Sequence, residues 1–278
     1  MLFWPSVRQL KRALAGGAQG VPLDLAALEL ASIEYPGLEP EPYLGLLDSY
    51  AAEIATRLAP GDAAQAFVER LNHYLFDELD FAGNAGDYYN PRNSCLNDVL
   101  VLRTGIPITL SLVYMEVARR LGRTVRGIGL PGHFIVRVEE GSYSAFIDPF
   151  HHGRILSPET CFEIAREVTG VDFSADPAVL EPVDERHMLL RMLNNLRVVY
   201  TNRGQDEKAI RVLDLLIQAQ PNSADEFRQR GFLYIRSKRF RPALADLLQY
   251  LRLAPDASDK ARVQRYVEAL RSRITSLN

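Results

Sequence analysis

His133 and Asp148 stand 15 residues apart in "GLPGHFIVRVEEGSYSAFIDPF", the histidine heading one run of period-two residues and the aspartate closing the next. On adjacent antiparallel strands two such residues can pair side by side. The carboxylate then fixes the imidazole tautomer and stabilises the imidazolium. What this pair lacks is a nucleophile. Cys95 follows Asn93-Ser94, either of which could cap the helix "CLNDVLVLR". The unpaired amides and positive dipole end at a helix start favour thiolate and could hold an oxyanion. Cys95 fits equally well as a small apolar packing residue. Asn93 and Arg103, at the two ends of that helix, are the candidate substrate-binding residues. Arg103 could hold an acidic group or a backbone carbonyl, or simply act as a cation at a helix C-terminus. Cys161, in "SPETCFEIAREV", has no histidine near it in sequence and is expected in the core. His151-His152 beside Asp148 could suggest a metal together with His133, but "HHGR" is also a good polar turn. No i,i+4 histidine pair or cysteine cluster supports such a site, so neither metal nor cofactor is expected.

The elements that must carry these residues follow from periodicity. Up to about residue 90 the chain reads as helices. Pro22 opens one that stops at Pro36; Leu46, Leu47, Tyr50, Ile54 and Leu58 mark a second, closed by Pro60-Gly61. Phe67, Leu71, Leu75 and Leu79 mark a third, with Asp62 as its cap. "FAGNAGDYYNPRNS" is a loop, aromatic enough to be packed. After the Cys95 helix, Pro107 begins another that Gly122 ends. The period then changes to two in "TVRGIGL", "HFIVRVE" and "SAFIDPF", an antiparallel meander. Helices followed by a meander imply an α+β class. From about residue 187 the chain repeats at 34 residues: Tyr200 and Tyr234, Ala209 and Ala243, Leu213 and Leu247, Pro221 and Pro255. That is the tetratricopeptide period, and two repeats plus a final helix make a short array. The expected organisation is an N-terminal segment 1–20, an α+β domain 21–182 and an all-α repeat domain 183–278.

The 278 residues are 47% hydrophobic and 24% charged, enough to bury a sizeable core. Two cysteines give no disulfide framework. With no secretory leader and no run of the ~20 apolar residues that a membrane span needs, a cytoplasmic protein is expected. Nothing resembles the aromatic-plus-basic pattern of a nucleic-acid binder. The net charge of −3 conceals an asymmetry: residues 1–185 carry 14 Lys+Arg against 26 Asp+Glu, residues 186–278 carry 18 against 9. A basic repeat tail suits a protein or peptide partner of acidic character, or offsets the acidic domain before it.

"NPRNSCLNDVLVLRTGIPITLSLVYMEVARRLGRTVRGIGLPGHFIVRV", followed by "IDPFHHGRIL", resembles the transglutaminase-like core superfamily, in particular its bacterial SirB-one-type branch with a tetratricopeptide tail. The resemblance runs from about residue 22 to the end. It implies a papain-like fold whose Cys-His-Asp triad acts on amides, with His133 and Asp148 at the histidine and aspartate positions. At the nucleophile the chain departs from the pattern: "RTGIP" sets Pro107 where the cysteine belongs. Three readings stand open. The protein is a pseudoenzyme that binds protein or peptide; or Cys95, from the preceding helix, completes a thiol-dependent amidase, peptidase or acyltransferase; or Thr109 or Ser111 supplies a hydroxyl.

Overall fold

The computed structural model describes residues 7–16, 21–59 and 61–276. Most of the apolar opening of the N-terminal segment, and Pro60 of the helix stop, lie outside the described residues. Two compact units divide after Met192.

In the first unit the helices are α1 (Arg8–Leu14), α2 (Leu23–Ala31), α3 (Glu41–Ala55) and α4 (Ala64–Asn72). The expected Asp62 cap is not made. Ala63 holds the cap position of α4, while Asp62 accepts from the Ala59 amide. Helix α4 does not run on to Leu79 as one α-helix but widens into a π-helical segment, His73–Glu78. Apolar residues spaced strictly by four drift around a helix of 3.6 residues per turn, and a wider turn lets Tyr74, Leu75 and Phe76 stay buried.

Beyond the loop come β1 (Ala82–Gly83), α5 (Leu96–Leu102), β2 (Thr104–Gly105) and α6 (Pro107–Arg120). Pro107 is the first residue of α6, where its missing N–H costs nothing. The two short strands β1 and β2 pair in parallel. The meander is β3 (Val125–Ile128), β4 (Ile135–Glu140), β5 (Tyr143–Asp148) and β6 (Arg154–Leu156), in that order and antiparallel throughout. The period-two runs mark three of these strands; β6 is a fourth, starting at the last residue of the polar turn "HHGR".

Register decides which residues share a face. Arg137 pairs with Phe146 and Val136 with Ile147, so Ile135, Phe146 and Asp148 lie on one side of the sheet. Helix α7 (Pro158–Thr169) covers that side, its Cys161 buried among Ile128, Leu130, Ile135, Phe146 and Leu156. Cys161 is therefore a core residue, as its amphipathic surroundings indicate. Val136 and Ile147, on the opposite face, are also fully buried, and α6 packs against β3 and β4.

The division after Met192 falls inside α8 (Glu185–Asn202). The second unit continues with α9 (Asp206–Ala219), α10 (Ala224–Arg236), α11 (Phe240–Leu253) and α12 (Lys260–Thr275). The repeated positions Tyr200, Ala209, Ala243, Leu213 and Leu247 are all fully buried, as a stacked-repeat core requires. Gly231 permits the close approach of α10 to α11: a Cβ there would lie 2.8 Å from Leu247 Cδ2. Arg230 grips Asp246 with two parallel hydrogen bonds of 2.8 Å and Asp214 with a third of 2.6 Å.

Candidate functional site

His133 follows the Pro131-Gly132 turn, two residues ahead of β4 rather than on it. Gly132 takes a positive φ of 74°, and a Cβ at that position would overlap Val168 of α7. Only glycine meets both demands cheaply. The turn is also clamped from α8: the Arg191 guanidinium donates to the carbonyls of Leu130 (2.9 Å) and His133 (2.6 Å) and lies over the Phe134 ring. Burial holds the Arg191 guanidinium below the usual arginine range. We expect Gly132→Ala to cost about 2–4 kcal/mol, from left-handed strain and overpacking together. A chemical denaturation midpoint unchanged from that of the parent chain would count against this.

His133 Nε2 lies 2.8 Å from Asp148 Oδ2, with both side chains buried. Asp148 ends β5, and its Oδ1 accepts from the amides of Phe150 (3.0 Å) and His151 (3.4 Å), so the carboxylate caps the short turn Pro149–His151. That turn folds the His151 ring back, and its Nδ1 reaches Asp148 Oδ2 at 2.7 Å. Burial alone would raise the Asp148 carboxyl. The bonds to His133 and His151 outweigh it, and the group sits below the ordinary carboxylate range. Since Nε2 of His133 is committed, Nδ1 is the ring nitrogen left to meet a ligand.

An aromatic wall continues the site. Phe150 stands edge-on to both His133 and His151 and is followed by Tyr88 and Tyr89, ring to ring; Tyr89 is 60% exposed. Gly83 of β1 makes room for Phe150, since a Cβ there would approach its ring to 2.5 Å. The whole 84–93 loop is fastened by Asn93, whose amide group donates to the carbonyls of Asp87 (2.7 Å) and Tyr88 (3.1 Å) while its oxygen accepts from Asn84. Arg103, in left-handed conformation at the end of α5, donates to the Leu79 carbonyl at 3.1 Å.

At the start of α5 neither Asn93 nor Ser94 is the cap. Cys95 itself holds that position, without a side-chain cap bond, and Asn93 turns back into the loop. The Cys95 amide donates to the Arg92 carbonyl, and its thiol is fully buried. Tyr35 donates to Asp98 at 2.6 Å; burial, that bond and the nearby Cys95 together keep its hydroxyl protonated. The Thr109 hydroxyl is engaged on both sides, donating to the Asn93 carbonyl at 2.7 Å and accepting from the Ile106 amide. Ser111 is buried, and its hydroxyl has no hydrogen-bond partner among the described residues.

Burial first, and then the Asp148 charge, push the Cys161 thiol up to about 12. An unfolded thiol near 8.5 deprotonates first as pH rises. This cysteine's contribution to stability is thus fully present below about pH 8.5 and lost progressively between there and about pH 12. We expect alkylation of Cys161 at pH 8–9 to be far slower than in denaturant, as read by mass spectrometry of the labelled peptides; equal rates would contradict its placement.

In the sequence His151 suggests a metal ligand with His133 beside Asp148 and is set aside in favour of a polar turn, although its i+3 spacing from Asp148 on a proline-started turn is a usable signal. Two further site residues carry no such signal. Tyr88 sat in a loop noted as aromatic, with nothing to show where its ring pointed. Arg191, 58 residues from the carbonyl it binds, left no local trace.

The sequence profile described as the transglutaminase-like superfamily matches residues 41–194, and that of the tetratricopeptide repeat matches residues 196–268. A UPF0162 protein of Xylella fastidiosa is 37% identical over 84% of this chain and 85% of its own length. One from Pseudomonas aeruginosa is 28% identical over 86% of this chain and 87% of its own. Human F-box only protein 21 is 32% identical over 60% of this chain, which corresponds to 27% of that longer protein. With more than half of its length matched by one profile, the chain belongs to the transglutaminase-like superfamily and carries a tetratricopeptide repeat after its transglutaminase-like part.

Proposed function

We propose that the transglutaminase-like part is a pseudoenzyme that binds a protein or peptide segment at the His133–Asp148 site, while the repeat tail recruits a partner of acidic character. The observation that carries this reading is a buried, bonded His133–Asp148 pair; the resemblance supports it, since it would put the cysteine where Pro107, a residue without a nucleophile, begins α6. The aromatic wall of Phe150, Tyr88 and exposed Tyr89 offers apolar area with polar tips, the kind of surface that takes up a chain segment. Asn93 and Arg103 serve binding through the backbone they hold, Asn93 by fixing the loop that presents Tyr88. The excess of Lys+Arg in the tail supports an acidic partner. Two buried cysteines, neither in a disulfide, suit a reducing compartment, which supports a cytoplasmic setting. Among the described residues no helix is long and apolar enough to cross a membrane.

The position of Cys95 at the start of α5 favours a second reading, a thiol-dependent amidase, peptidase or acyltransferase built from Cys95, His133 and Asp148. The rate of Cys95 alkylation against pH, with and without His133→Ala, decides between the two. The binding reading expects slow modification that the histidine does not influence. An apparent thiol pKa well below ~8.5 that rises in the mutant would overturn it in favour of the enzyme. A peptide-display selection on the intact chain supplies the positive test. Peptides so obtained should lose at least about tenfold in affinity on Tyr89→Ala, about the worth of one interfacial aromatic.

A further inference from the structure

Of the polar clusters among the described residues, one has the composition of a metal centre. His133 Nε2, Asp148 Oδ2 and His151 Nδ1 all lie within 4.8 Å of one another. We propose that these three side chains form a binding site for a divalent transition-metal cation of the zinc class. Two imidazole nitrogens and one carboxylate oxygen are a donor set that suits zinc, iron, cobalt or nickel rather than magnesium or calcium. Three protein ligands leave a further position for water or for an oxygen of a bound ligand.

The geometry fits in four respects. The nitrogen–oxygen separations are 2.8 Å and 2.7 Å, and tetrahedral coordination at ~2.0–2.2 Å needs about 3.4 Å between ligand atoms, so each nitrogen–oxygen distance must open by about 0.6–0.7 Å. Both rings converge on the same carboxylate oxygen, Oδ2. The other oxygen, Oδ1, is held by the Phe150 and His151 amides, which orients the carboxylate as an outer shell orients a ligating group. An entry path exists as well: Asp148 and His133 are buried, but the His151 side chain is 59% exposed. The cation would replace the protons that now bridge the rings to Asp148. A metal-loaded site and the His133–Asp148 hydrogen bond therefore exclude each other, and the binding reading above does not depend on the metal.

The test uses the full chain, stripped with a chelator and titrated with Zn2+ in calorimetry and with Co2+ by visible absorption. One site per chain is expected. His151→Ala should weaken it by more than the about 10–100-fold typical of an outer-shell partner. Because the His151 side chain is exposed, this variant should keep its melting temperature within a few degrees, which makes it a cleaner probe of the metal site than the buried His133. The exposed pair His73–Asp77 is the control, and His73→Ala should leave the affinity unchanged. No stoichiometric binding, binding indifferent to His151→Ala, or binding lost with His73→Ala would each overturn the proposal. Peptide capture repeated in chelator separates the two ideas: capture retained without stoichiometric metal binding removes the metal site and leaves the binding function standing.

Discussion

Replacing Asp148 by alanine should cost about 3–5 kcal/mol of stability, because it strips several buried donors of one shared acceptor. The carboxylate is 1% exposed and accepts from four donors: the His133 ring, the His151 ring and the amides of Phe150 and His151. Alanine leaves the buried imidazole and the turn amides without their acceptor, and each orphaned buried group costs about 1–3 kcal/mol. Asp148→Asn keeps the shape and one acceptor oxygen for the turn, so it should recover a good part of the loss. Urea denaturation of the three chains measures the ranking. Equal midpoints for Asp148→Ala and the parent would mean that the carboxylate is not the keystone of this turn.

Arg230→Ala should be as damaging, at about 3–5 kcal/mol, but in the repeat unit. Asp246 is 5% exposed and its neutralising partner is this one fork-shaped guanidinium, which also reaches Asp214. Burial already raises the Asp214 carboxyl above the usual range in spite of the arginine. Without Arg230 two carboxylates face each other across poorly solvated space. Because a buried ion pair replaced as a whole by apolar residues is often neutral, the double variant Arg230→Met, Asp246→Leu should regain most of the stability lost in the single one. If the double variant is as unstable as Arg230→Ala, the cost lies in packing rather than in the stranded charge.

The elements were largely legible in the sequence, because each was signalled within a few residues of itself. Pro107 and Gly122 mark α6; period-two runs mark β3, β4 and β5; the 34-residue spacing of Ala209 and Ala243 marks the repeat, and both residues are indeed fully buried. The readings that failed were those in which a local signal had a competitor. Asn93 and Ser94 have good cap chemistry, yet the Asn93 side chain gains three bonds by turning into its own loop. The segment around His151 has good turn chemistry and does turn, but Arg154–Leu156 then adds a strand because β5 offers an open edge.

By itself the sequence determined most of the helices, the meander strands β3 to β5, the α+β order followed by repeats, the turn and strand end that set His133 and Asp148 near each other, and the absence of a cysteine at position 107. Tertiary structure alone decided what surrounds that pair. It brought His151 onto the same carboxylate oxygen, set Phe150 and Tyr88 beside the rings, and clamped the His133 turn with an arginine 58 residues away. The reason is physical: periodicity and turn chemistry are local properties of a chain. The direction of a buried side chain is fixed by whichever donors and rings the folded chain places within about 3–6 Å of it, whatever their distance in sequence.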